Sequence, residues 1–192
     1  TDHAGVVAEF DWSTTAMPGP GKSRYAFGTL SELYMALNRV YALAISLPNA
    51  PLMEFERRVT DLPRTTEVER LVVQRIGQDI FRTRLMDYWQ GRCPVTGITD
   101  PALLRASHII PWSDCESDAE RLDVHNGFLL SALWDAAFDR ALVTFDDQGS
   151  PEFSRGLSGQ ALVELRWTAP IPLTDEHRRR LVRHRERARS LG

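Results

Sequence analysis

Lysine is almost missing from this 192-residue chain: of its 23 basic residues, all but Lys22 are arginine. Arginine's planar fork suits phosphate, but genome composition biases usage just as well, so the imbalance carries little weight alone. Cysteine is scarce too. Cys93 and Cys115 are the two present; they form no C-x-x-C pair, which excludes a four-thiolate zinc site built from sequence neighbours and points to a reducing cytoplasm. No stretch approaches the roughly 18 consecutive apolar residues of a membrane span. The opening TDHAGVVAEF lacks the charged-then-apolar order of a secretory signal, so neither membrane insertion nor secretion is expected. The first residue is Thr and not Met, as in a piece of a longer protein. A positive excess is also absent: the net charge of −3 argues against a protein that coats nucleic acid indiscriminately.

What is present fits an ordinary globular protein, with 43% apolar and 26% charged residues. The front of the chain reads as helical. After an expected strand in VVAEFDW and the Pro- and Gly-rich stretch MPGPGKS, Thr29 and Glu32 have capping-box spacing. Leu30, Leu33, Tyr34, Leu37, Val40, Tyr41 and Ala44 then recur at helical intervals. Pro48 and Pro51 stop that helix, and a short one is expected over LMEFERRVT. A second capping box, Thr66 to Glu69, opens a long helix ending near Gly91.

From Gly91 the pattern changes. CPVTG reads as a short strand and turn, DPALLRASHII as a turn leading into a strand, and SDCESDAERLDVHNG as a polar loop of the kind that more often carries function than not. FLLSALWDAAFDRAL reads as a short helix packed by Leu130, Leu133, Trp134, Ala137 and Phe138, and VTFDDQG as a closing strand and turn. The average charge hides an asymmetry: HRRRLVRHRERAR, from His177 to Arg189, sets seven arginines against one glutamate.

Three features follow one another here: a histidine ending a strand (His108, in RASHIIPW), an Asn-Gly ending a polar loop (Asn126-Gly127), and a helix whose Asp135 and Asp139, four apart, share one face. Alone, His108 would be read as a core histidine satisfied by a backbone partner. Together, GRCPVTGITDPALLRASHIIPW and RLDVHNGFLLSALWDAAFDRALVTFDD resemble the HNH endonuclease family, in the branch with [AS]-H-I-x-P and N-G-x-x-L motifs. The resemblance is close over about 65–150 and loose over the C-terminal basic helix.

The resemblance implies an α+β protein: a mostly helical N-terminal region (1–64), an HNH nuclease domain (65–150) with a ββα-metal core at about 91–146, and a C-terminal extension with a basic helix (151–192). It implies metal-dependent hydrolysis of DNA phosphodiesters, with restriction or phage defence as the setting by analogy. His108 matches the general base, since an imidazole can take a proton from water at neutral pH. Asn126 matches the residue that ties the loop to the histidine's segment, a role compatible with that of a turn residue. Asp135 occupies the position where the family commonly has a metal-binding histidine, and Ser107 one where it often has aspartate or histidine. Oxygen ligands favour Mg²⁺ or Mn²⁺; no structural zinc is expected, because Cys93 has no second cysteine three residues on. Asp139 stands either as a further ligand or as an ion-pair or capping group. Asp135 itself has the alternative of a solvated helix carboxylate. Arg105 is a candidate phosphate contact or a plain surface arginine. Arg178, Arg179, Arg180 and Arg183 form either a clamp on the DNA backbone or a solvated helix paired with acidic loops. DNA is the expected partner, with a homodimer or an outside specificity domain needed to cut two strands. The rival is a non-catalytic nucleic-acid-binding module with a degenerate site.

Overall fold

A computed structural model describes residues 26–191; the expected strand in VVAEFDW and the MPGPGKS stretch lie outside them. Among the described residues, seven α-helices and two two-stranded sheets make an α+β fold. Three helices come first: α1 (Leu30–Ser46), α2 (Ala50–Val59) and α3 (Glu67–Tyr88). Both capping signals act locally. The Thr29 hydroxyl accepts from the Glu32 N–H, and Thr66 and Glu69 form a reciprocal capping box that satisfies two amides the helix leaves unpaired. Pro51 falls in the first turn of α2, where its missing N–H costs nothing.

The central unit is an antiparallel hairpin of β1 (Leu104–His108) and β2 (Gly127–Ser131), with His108 opposite Gly127 and Leu104 opposite Ser131. Its two strands are joined by residues 109–126, which include a short helix, α4 (Asp118–Leu122). Directly after β2 comes α5 (Ala132–Asp139), then β3 (Val143–Phe145) paired with β4 (Pro151–Phe153), α6 (Gly159–Glu164) and α7 (Asp175–Leu191).

Two apolar cores flank the hairpin. One joins α1, α2 and α3 through Leu43, Phe55, Val73, Ile80 and Phe81 and reaches Leu122 and Val124. The other gathers Phe128, Leu129, Leu130, Trp134, Phe138, Val143 and Phe145 and is closed by Leu181 of α7.

Local structure departs from expectation in three places. FLLS is strand and not helix: Phe128, Leu129 and Leu130 are all buried, and a strand covered on both faces carries no alternation to betray it. Leu133, expected on the packed stripe of α5, is half exposed. CPVTG forms a turn without a strand; Cys93 and Gly97 close it backbone to backbone.

Gly127 is not a left-handed turn residue either, since its φ of −169° is extended. It is small because space is lacking. A Cβ there would lie 2.5 Å from Phe81 Cζ and 2.7 Å from the Ser107 carbonyl oxygen. Gly127→Ala must therefore push β1 or the Phe81 ring aside. We expect a loss of about 1–3 kcal/mol, read as a melting temperature several degrees lower by circular dichroism; an unchanged melt would contradict the close approach.

Candidate active site

His108 ends β1 with its ring stacked on Phe81, 3.8 Å between centroids at 18°, and edge-on to Trp112 at 5.7 Å. Its Nε2 lies 2.9 Å from the Arg121 carbonyl oxygen. A carbonyl only accepts, so Nε2 carries the proton and Nδ1 keeps its lone pair. Nδ1 has no hydrogen-bond partner among the described residues. Burial lowers the ring's pKa to about 4, the Arg121 bond opposing the shift, and the imidazole is neutral at pH 7.

On the neighbouring residue the geometry changes side. Successive side chains of a strand point to opposite faces, so where His108 turns toward α3, Ser107 turns toward α5. Its hydroxyl donates to Asp135 Oδ1 at 2.5 Å. Burial raises the Asp135 pKa, the Ser107 bond counters it, the Asp139 carboxylate one helical turn on raises it further, and Arg105 lowers it. Arg105, exposed on the same strand, folds its guanidinium back onto the carbonyls of Ala102 and Leu104. Ser107, Arg105 and Asp135 thus gather on one side of β1, with Asp139 one helical turn on, while His108 stands on the other. The imidazole and the carboxylate therefore approach the end of β1 from its two faces.

Asn126 is fully buried within a turn of 3₁₀ helix, Val124–Asn126. Its Oδ1 accepts from the Ile110 N–H at 2.9 Å; its Nδ2 lies 3.3 Å from the Ile110 carbonyl, 3.2 Å from that of Glu120 and 3.3 Å from Cys115 Sγ. One amide thus ties the segment after His108 to the loop that supplies the Arg121 carbonyl. That loop is held a second time by the Arg121 side chain, which donates to the carbonyls of Trp112 and Cys115 and pairs with Asp118.

Residues 93–146 match the model of the HNH endonuclease family. The chain carries an HNH domain. No curated protein matches the chain. His108, Asn126 and Asp135 all lie within the matched segment, in that order.

Two contributors to the HNH domain gave no signal in the sequence. Arg121 serves through its backbone carbonyl, which any residue would provide. Phe81 lies in α3, outside the matched span, and its stacking on His108 is a tertiary contact. The residues of the basic run are placed elsewhere. Arg180 pairs with Asp123 at 2.5 Å, Arg178 with Asp175, Arg179 with Glu176, and Arg183 lies 4.0 Å from Glu120. These arginines brace α7 against its own first turn and the 118–126 loop.

The donor set at Asp135 can be tested against a metal ion. Among the described residues no three His, Cys, Asp or Glu side chains assemble a cation site. What exists is oxygen-only: two carboxylates whose mutual repulsion raises the Asp135 pKa, and one hydroxyl. That set fits a hard dication that keeps most of its ligands as water and substrate oxygen, and does not fit zinc.

Proposed function

We propose that this protein is a metal-dependent HNH endonuclease that hydrolyses DNA phosphodiester bonds, in the cytoplasm and in the setting of restriction or phage defence. The observation that carries the reading is the His108 ring, locked by the Arg121 carbonyl into the tautomer whose free Nδ1 can accept a proton. A phosphodiester is anionic, so attack requires a deprotonated water and compensation of charge on phosphate and leaving oxygen. Nδ1 takes the water's proton. Because Nε2 is already bonded and the ring is held by Phe81, the lone pair keeps its direction without reorganisation. Arg105 presents donors to a non-bridging phosphate oxygen. Asp135, with Asp139 behind it and Ser107 beside it, would hold Mg²⁺ or Mn²⁺. When bound, such an ion supplies the positive charge that offsets the developing oxyanion. Asn126 keeps the two segments in register and touches no reactant. A homodimer or a specificity domain outside this chain would bring the second strand within reach.

The short bond from Ser107 to Asp135 also favours a second reading, a nucleic-acid-binding module whose site has decayed, because it engages the one carboxylate that the metal needs. Supercoiled plasmid separates the two. Nicking that requires Mg²⁺ or Mn²⁺, stops in EDTA and falls at least about tenfold in Asp135→Ala supports the enzyme. Retarded but intact DNA under all conditions supports the binder.

A further inference from the structure

A cleft of about 380 Å³ opens at the start of α5, walled by Thr96, Ile98, Leu103, Ala132, Leu133 and Arg166. Its size falls at the lower end of the roughly 300–1,000 Å³ typical of small-ligand pockets. Leu103 and Leu133 are 50% and 51% exposed, an unusual state for two leucines facing one cavity. Trp134 forms part of the wall and is itself held by a bond from its Nε1 to the Arg166 carbonyl. Thr96, Glu164 and Arg166 complete the lining; the Thr96 hydroxyl accepts from the Ile98 N–H, and the Arg166 Nε donates to the Val163 carbonyl. A flat apolar body with a donor and acceptor edge suits such a lining.

The position of the cleft says which such body. Ala132, Asp135 and Asp139 stand at i, i+3 and i+7, a single stripe of α5, so the wall of the cleft is one helical turn, about 5 Å, from Asp135. Arg105 neighbours both: its guanidinium bonds the carbonyls of Ala102 and Leu104, on either side of the cleft residue Leu103, and its charge acts on Asp135. An apolar slot and a cation thus lie beside the candidate hydrolytic carboxylate. Base and phosphate are likewise neighbours in a nucleotide.

We propose that this cleft seats one nucleobase of the DNA strand whose adjacent phosphate is presented to Asp135 and His108, an inference that rests on the hydrolytic reading above. The apolar walls take the base's faces, and Arg166, Glu164 and Thr96 meet its edge. A base must leave its stack to enter, so single-stranded or distorted DNA is the preferred substrate.

Two fluorescent single-stranded oligonucleotides of equal length and charge provide the test, one with all its bases and one whose central residues are tetrahydrofuran abasic units. Binding is measured by anisotropy in EDTA, and cleavage separately in Mn²⁺. The base-bearing strand should bind about tenfold more tightly. In a Leu103→Ala, Leu133→Ala double variant, which removes exposed side chains only, that preference should fall below about threefold. Equal binding of both strands by the unaltered protein, or an undiminished preference in the variant, would overturn the proposal. If the preference is found and neither strand is cut in Mn²⁺, the cleft stands and the hydrolytic reading falls; cutting without preference gives the reverse.

Discussion

His108→Ala is expected to lower metal-dependent nicking roughly 10²–10⁴-fold, the usual contribution of a positioned general base. The variant also loses a ring stacked on Phe81 and leaves the Arg121 carbonyl without its partner, which should cost about 1–3 kcal/mol. Lost activity alone would therefore not identify a base. Two further readouts do. Added imidazole should restore part of the rate in His108→Ala, because the vacated space opens onto the position from which Nδ1 acts; a merely structural histidine would show no such rescue. In the unaltered protein the ring is already neutral well below pH 7, its pKa lying near 4. The rate should then stay level from pH 8 down to the point at which the fold gives way, without the inflection near 6.5 of an ordinary histidine. An inflection near 6.5 together with no imidazole rescue would remove His108 from the reaction.

That point should come early on the acid side. Three histidines are held neutral by burial: His108 with a pKa near 4, His177 near 3 and His184 near 4. His177 is further suppressed by His125, Arg180 and Arg178, with Asp123 opposing; His184 by Arg187 and Arg185, with its bond to the Phe138 carbonyl and Asp139 opposing. In the unfolded chain all three would titrate near 6.5. The unfolded state thus binds protons first, and stability present above pH 6.5 is lost as pH falls from there toward about 4. Each group contributes about 3–5 kcal/mol at full extent, and the sum is comparable to the 5–15 kcal/mol of a typical domain. Asp123, whose pKa is lowered because its contacts with His125 and Arg180 outweigh its burial, adds to the loss; Asp135, raised, works weakly against it. Urea midpoints should drop steeply between pH 6.5 and 4.5. His177→Phe should flatten that slope, since the ring stacks on Phe128 and its Nε2 has no partner, while the loss of the Thr174 bonds to Nδ1 lowers the midpoint at every pH. A midpoint constant over this interval would show the three rings to be protonated in the fold.

Much of the architecture was legible because its signals are local. Thr66 and Glu69 announce the start of α3 through bonds spanning three residues, and the RASHIIPW, N-G and D-x-x-x-D features mark the ends of β1, the loop and α5 in order. What escaped depends on contacts across the chain. The strand Gly127–Ser131 looked like the front of a helix because both its faces are covered, one by α3 and one by the second core. Gly127 looked like a turn residue because the crowding from Phe81, forty-six positions earlier, leaves no trace nearby. For the arginines from Arg178 to Arg183 the sequence left a DNA clamp and a helix paired with acidic loops equally open, because the carboxylates that meet Arg180 and Arg183, on Asp123 and Glu120, are some sixty residues upstream. Asn126 shows the mixed case: its dipeptide with Gly127 drew notice, but its bonds to Ile110, Cys115 and Glu120 are tertiary.

The seating of α7 has a consequence for truncation. The family-matched segment ends at 146, yet Leu181 closes its core, the His184 ring stacks on Phe138 at 3.9 Å and bonds to Thr144 and the Phe138 carbonyl, and Arg180 neutralises Asp123 beside the candidate base's loop. A fragment that stops at 146 would leave the hairpin and α5 without one wall and the loop beside His108 without its counter-ion, so the matched segment should not hold this arrangement by itself.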